Sequence, residues 1–198
     1  MSSQHKYATE FMDFHRHTIR LKGYDYSQKG AYFVTICTQD KACIFGEIID
    51  DKMVLNEIGK IVHNEWLNTS KIRSNIICDV FIVMPNHIHG IIVINESYGS
   101  VQFGRMQSDG RMQYAPTEDM LQVKLQSPSQ TIGAIVRGFK ASVTKQINEL
   151  QQTRGQTIWQ RNYYEHVIRD ADDYNRVYEY IENNPQRWSL DSLNPNLP

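Results

Sequence analysis

Val83-Met84-Pro85-Asn86-His87-Ile88-His89-Gly90-Ile91-Ile92-Val93-Ile94 is the stretch that decides the fold. Ile76 to Met84 and His87 to Ile94 are runs of apolar and β-branched residues, and Met84-Pro85-Asn86 between them is turn chemistry. So short a link makes the two strands an antiparallel pair. Side chains alternate along a strand, so His87 and His89 leave from one face and Ile88 from the other. Imidazole is the commonest metal ligand, and two on one face can share a divalent ion. On its own the triplet reads more readily as two half-buried strand histidines. The rest of the chain has to decide.

Upstream, Ala31-Tyr32-Phe33-Val34-Thr35-Ile36-Cys37-Thr38 reads as the first strand. A short hairpin follows, Gly46 to Ile49 and Met53 to Leu55, turning at Asp50-Asp51-Lys52. Asn56 is an N-cap for a helix whose apolar face is Ile58, Ile61, Val62 and Trp66. Downstream, residues 95–127 are Gly, Ser, Gln and Pro-rich with little periodicity and read as a mobile insertion; Gly104-Arg105-Met106-Gln107 recurs there as Gly110-Arg111-Met112-Gln113. Ser127-Pro128-Ser129-Gln130 forms a capping-box start for a second helix, with Ile132, Ile135, Val136, Phe139, Val143 and Leu150 along its stripe. Residues 157–169 read as extended. Asp170 to Asp173 offer caps for a last helix that Pro185 stops near Asn184.

The order β-(hairpin)-α-β-β-α-β-α does not alternate as parallel βαβ units do. It predicts an α+β fold: a ferredoxin-like antiparallel sheet with helices packed on one face. The domain spans 26–188, between a basic arm at 1–25 and a loose tail at 189–198.

With 198 residues, 40% hydrophobic and 22% charged, the chain can bury the core of one globular domain. No apolar run approaches the roughly 20 residues of a membrane span, and the first residues have no signal-peptide core, so no membrane partner is expected. Cys37, Cys43 and Cys78 lack metal spacing and read as free thiols of a reducing cytosol. A net charge of −1 speaks against coating duplex DNA by bulk charge. It leaves room for two basic patches, one around Arg16, Arg20 and Lys22 and one of Arg137, Lys140 and Lys145.

The last helix carries a stripe of Tyr174, Val177, Tyr178 and Ile181. At about 100° per residue, Tyr180 and Asn184 lie about 40° apart and off the centre of that stripe. Next to a metal, Asn184 could give a carbonyl oxygen and Tyr180 its hydroxyl. Both are also compatible with an amphipathic surface tyrosine and a helix-end residue before proline.

Six blocks taken together give the chain a resemblance from about Arg20 to Trp188. They are Lys22-Gly23-Tyr24-Asp25-Tyr26 followed by Gly30-Ala31-Tyr32-Phe33-Val34-Thr35; Val83-Met84-Pro85-Asn86-His87-Ile88-His89-Gly90; Ile135-Val136-Arg137-Gly138-Phe139-Lys140; Trp159-Gln160-Arg161-Asn162-Tyr163-Tyr164-Glu165-His166-Val167-Ile168-Arg169; and Tyr180-Ile181-Glu182-Asn183-Asn184-Pro185. In this order they resemble the single-tyrosine HUH transposases of bacterial insertion sequences, in particular the REP-associated tyrosine transposases. The 95–127 insertion departs from the pattern.

The resemblance implies a bacterial cytoplasmic enzyme that cuts and rejoins single-stranded DNA, on hairpin or repeat substrates. His87 and His89 match the family's histidine pair, Tyr180 its nucleophile, and Asn184 the polar residue that completes a divalent metal site for Mg²⁺ or Mn²⁺. It implies a homodimer. Arg137, Lys140, Arg16, Arg20 and Lys22 are the candidate DNA contacts, and Tyr163 or Tyr164 could stack on bases. His166 beside Glu165 could support the site from behind. Two rival readings remain: a DNA-binding module without catalysis, and a hydrolase working through metal-bound water.

Overall fold

A computed structural model describes residues 28–95 and 131–197. Arg16, Arg20 and Lys22, the 95–127 insertion apart from Asn95, and the Ser127 to Gln130 capping box lie outside the described residues. The elements run β1 (Gly30–Cys37), β2 (Gly46–Ile49), β3 (Lys52–Leu55), α1 (Glu57–Lys71), β4 (Ile76–Val83), β5 (His87–Ile94), α2 (Ile132–Leu150), β6 (Tyr164–Ile168) and α3 (Ala171–Glu182). Short 3₁₀ helices cover Gln39–Lys41 and Pro185–Leu190.

Four strands form one sheet in the order β4-β5-β1-β6, with every neighbouring pair antiparallel. Setting aside the β2–β3 hairpin, this is a β-α-β-β-α-β path, the antiparallel α+β arrangement expected from the sequence. The hairpin turns at Asp50 and Asp51, both left-handed (φ 49° and 59°), and pairs Ile49 with Lys52. A two-residue turn of that hand matches the twist of the strands it joins.

The sheet's two faces do different work. Tyr32, Val34, Ile36, Ile88 and Ile92 point to one face, where α1 brings Val62 and Trp66 and α2 brings Ile135, Val136, Phe139 and Val143. The other face carries Phe33 and Ile91, covered by Val177 and Ile181 of α3. Helices were expected on one face only; α3 lies across the second because that face also has an apolar patch to bury. A bulge between Cys78 and Phe81 lets β4 serve both layers. It reverses the alternation, so Phe81 joins the α1 side while Val80 and Ile82 join the α3 side.

The caps explain the helix bounds. Asn56 accepts from Gly59 N, as expected. Thr131, not Ser127, caps α2 and accepts from Ala134 N, so the regular helix begins at Ile132. Asp170 caps α3 by accepting from Asp173 N. Asp173 in turn accepts from His166 Nε2 at 2.9 Å and from Arg169 N at 3.1 Å, which ties α3 to β6.

Gly90 has a strict packing reason. A Cβ there would come within 2.5 Å of Trp66 Cζ2 and 3.0 Å of Phe81 Cβ. Trp66 is fully buried and has nowhere to move. Gly90→Ala is expected to cost about 1–3 kcal/mol of unfolding free energy, measured by urea denaturation.

Candidate functional site

The site lies on the α3 side of the sheet. In the β1–β5 ladder Thr35 faces His89 and Cys37 faces His87. Strand alternation therefore places both imidazoles on the face that α3 covers. Both are buried, at 0% and 2% exposure.

Hydrogen bonds fix the His87 tautomer. Asn86 Nδ2 donates to Lys41 O at 3.0 Å and to Leu193 O at 2.7 Å. Its Oδ1 is therefore the atom 2.8 Å from His87 Nδ1. An amide oxygen only accepts, so His87 Nδ1 carries the proton and His87 Nε2 is a bare lone pair. That lone pair points at His89 Nε2, 3.0 Å away. On its far side His89 Nδ1 meets Thr35 Oγ1 at 2.8 Å. The hydroxyl can donate or accept, so it serves either tautomer of His89.

The tyrosine helix closes the cluster. Tyr180 Oη lies 3.3 Å from His89 Nε2 of the same chain, and Phe33 stacks on the His89 ring at 5.4 Å. The expected stripe on α3 needs correction. Tyr178 is exposed, and the buried line runs Asp173, Val177, Ile181, with the half-buried Tyr180 beside it and buried Asn184 continuing it. Hydrophobicity misplaced it because two of the residues facing the sheet are polar. Asn184 is 3% exposed, and its Oδ1 has no hydrogen-bond partner.

One member was not foreseen. The chain beyond Trp188 was expected to be loose, but Asp191 and Leu193 are buried against the site. Lys41 Nζ donates to Ser192 O, and Leu193 N to Asp191 Oδ1. These bonds, with the one from Asn86, lay Asp191 Oδ2 3.8 Å from His87 Nε2, with no hydrogen-bond partner. Ligand atoms of His87, His89 and Asp191 all lie within 4.8 Å of one another. The only sequence hint was that Asp191 is the lone acidic residue in 183–198.

These donors fit a divalent cation. A bare imidazole nitrogen faces a second imidazole, and two buried oxygens lack partners. Buried polar atoms are normally satisfied, so orphans gathered at one place call for an ion or water. Nitrogen and oxygen ligands together suit Mn²⁺ and accommodate Mg²⁺.

Electrostatics point the same way. Burial pushes the His87 pKa well below its ordinary value, helped by His89 and Lys41. Burial alone takes His89 down to about 3. Both rings are therefore neutral at physiological pH, the form that binds metal. Burial raises the Tyr180 phenol, Asp191 adds to that, and a hydrogen bond from Asn184 opposes it. The phenol needs a nearby positive charge to ionise.

The same burial makes the fold sensitive to acid. Unfolded, each imidazole takes a proton near pH 6.5; folded, His89 stays neutral down to about 3. The unfolded chain binds more protons across that window, so stability falls as pH drops through it. Asp191, raised by burial, works in the opposite sense. In an Asp191→Asn background the urea midpoint should therefore fall from about pH 7 to about pH 5, and His89→Gln should flatten that slope.

The other expected contacts divide. Arg137 is exposed on α2. Lys140 is committed to the fold: its Nζ donates to Gln160 O at 2.9 Å and Asn162 O at 3.0 Å and lies over the Tyr163 ring. Burial lowers its pKa to about 8. Tyr163 donates to Glu165 Oε2, and Tyr164 packs edge-on against Phe33. His166 serves the base of α3 through Asp173. Two cations near the centre went unread in the sequence: Lys41, whose charge acts on His87 and Asp191, and Arg187, whose charge acts on Tyr180.

Over 179 residues the chain is 43% identical to an uncharacterised protein of Haemophilus influenzae strain Rd, covering 90% of this chain and 93% of that one. The chain belongs to the family of that protein. No family model matches the chain. Among solved structures it is similar to a REP-associated tyrosine transposase bound to a REP hairpin, at 17% identity and TM-score 0.48, over 83% of this chain and 71% of that one. It is also similar to a candidate transposase of Deinococcus radiodurans R1, at 14% identity and TM-score 0.44, over 83% and 95%. These likenesses concern the course of the chain alone. No helix among the described residues is long and apolar enough to cross a membrane.

Proposed function

We propose that the protein is a transposase-like nuclease and strand transferase for single-stranded DNA, acting on hairpin or repeat substrates through a covalent tyrosine intermediate. One observation carries the reading: the Tyr180 hydroxyl is 3.3 Å from His89 Nε2, in a cluster of buried imidazole and oxygen donors whose chemistry fits a divalent cation. The six sequence blocks, read in order, support the same assignment.

His87, His89, Asn184 and Asp191 would hold a divalent ion, Mg²⁺ or Mn²⁺. Such an ion, when bound, polarises the scissile phosphate and offsets the charge that builds up during displacement. Tyr180 Oη attacks phosphorus; the O–P bond forms as the bond from phosphorus to the 3′-oxygen breaks. The products are a 5′-phosphotyrosine and a 3′-hydroxyl, the released oxygen taking up a proton. Attack by another 3′-hydroxyl reverses the step and joins strands without a nucleotide energy source. Asn184 donates to the phenol oxygen and favours its ionised form. Arg187, whose charge acts on Tyr180, and the exposed Arg137 of α2 would be the contacts to backbone phosphates. One chain supplies the histidines, the tyrosine and the oxygen donors, so the proposed homodimer is not needed to complete the centre.

The test is incubation with Mn²⁺ and a library of labelled single-stranded hairpins, followed by a denaturing gel. A labelled protein band that disappears with chelator supports the reading. Hairpin binding without any covalent band would instead mark a binding module that keeps the fold.

A further inference from the structure

Asn86, in the turn between β4 and β5, is 1% exposed, and its side chain commits both N–H groups and its oxygen within the protein. Its main-chain oxygen accepts from Thr38 N at 2.9 Å and from Thr38 Oγ1 at 3.0 Å, which clamps the turn to the end of β1. The position needs a short group that donates twice and accepts once. An amide does this; a carboxylate only accepts.

Followed from atom to atom, these bonds form a nearly closed circuit. His87 Nδ1 donates to Asn86 Oδ1 at 2.8 Å, and Asn86 Nδ2 donates to Leu193 O at 2.7 Å. Leu193 N donates to Asp191 Oδ1 at 2.8 Å, and Asp191 Oδ2 stands 3.8 Å from His87 Nε2. The path leaves the imidazole by one nitrogen and returns to the other. Its last gap is too long for a hydrogen bond, and a bare nitrogen faces a carboxylate oxygen across it. Two lone pairs repel, so a cation is what can join them.

We infer that Asn86 is a positioning residue that couples docking of the 191–193 segment to the divalent ion. An ion held between His87 Nε2 and Asp191 Oδ2 closes the circuit and tightens the segment; the docked segment in turn tightens the ion. The inference rests on the metal centre proposed above and is independent of the DNA chemistry. Coupling between two binding events is reciprocal, so one factor describes both directions.

Mn²⁺ alone, added to the full chain, tests it. Free Mn²⁺ is counted by electron paramagnetic resonance, and amide exchange across residues 189–195 is followed by mass spectrometry. In the wild type, saturating Mn²⁺ should slow that exchange about ten-fold, and Asp191→Ala should weaken Mn²⁺ binding by about the same factor. In Asn86→Asp the carboxylate still accepts from His87 Nδ1 but no longer donates to Leu193 O. In that background Asp191→Ala should change the affinity by less than about two-fold, and Mn²⁺ should no longer slow the exchange. Asn86→Ala, which buries no charge, should erase the Asp191 effect in the same way. By ¹⁵N imidazole shifts, Asn86→Ala should release the His87 tautomer, whereas Asn86→Asp keeps it. A merely structural loss at position 86 would leave the Asp191 effect unchanged, and that result overturns the inference. So does exchange in the wild type that is indifferent to bound Mn²⁺. Wild-type protein that binds no Mn²⁺ removes the metal centre itself, whereas binding with additive effects of the two positions refutes the coupling and leaves the centre standing.

Discussion

Tyr180→Phe is expected to lower covalent capture of hairpin DNA by about three orders of magnitude or more, the scale lost when a nucleophile is removed. The change deletes one oxygen from a half-buried ring and keeps the contact with Phe33, whose ring sits edge-on at 6.0 Å. The fold should lose no more than about 1.5 kcal/mol, because the ring packing stays and only the phenol's hydrogen bonds with His89 and Asn184 are removed. Mn²⁺ binding should persist, since His87, His89 and the two orphaned oxygens remain. A gel assay and a Mn²⁺ thermal shift on the same preparation separate these effects. Substantial turnover in the variant would instead support a hydrolase that activates water at the same centre.

His87→Ala should produce the complementary result. Removing one of two imidazoles is expected to weaken Mn²⁺ binding by at least about 100-fold, the upper end of what losing an outer-shell partner costs. At a concentration about 100 times the wild-type Kd, bound metal stabilises the fold by about 2.7 kcal/mol. For a domain of this size that is a rise in Tm of about 5–10 °C. In the variant the same concentration should yield no more than about 1–2 °C. The apo variant should also lose about 1–3 kcal/mol, because Asn86 Oδ1 is left buried without its donor. Capture should vanish along with the metal response. A thermal shift identical to wild type would remove the histidines from the metal site. Asp191→Ala should fall between the two if its free oxygen is a ligand.

The central features were legible because they repeat or lie close together in sequence. Period-two alternation put His87 and His89 on one face, and the three-residue turn before them set the antiparallel pairing. Asn56 showed itself as a cap three residues before the N–H it satisfies. The second helix start was misread because Ser127 to Gln130 has a capping pattern, while the residue that caps the helix is Thr131. On α3 the apolar residues alone pointed to Tyr178, but the buried face also includes Asp173 and Asn184, which no hydrophobic pattern can reveal. Lys140 looked like a surface cation because its partners, the carbonyls of Gln160 and Asn162, are about twenty residues away. Asp191 was hidden for a related reason: its surroundings are Asn, Ser and Pro, and what buries it comes from Asn86 and Lys41.

Those last contacts bear on the order in which the molecule comes together. Asn86 reaches Leu193 across 107 positions of sequence, and Lys41 reaches Ser192 across 151. Closing loops of that length sacrifices chain entropy before any contact repays it. The sheet and α1 can form from nearer partners, whereas the segment carrying Asp191 docks only once they are in place. What docks last on few bonds also opens most readily. Amide hydrogens at Leu193 and Asn194 should exchange with solvent well ahead of those in β1 and β5, so the histidine cluster would loosen while the sheet beneath it stays shut.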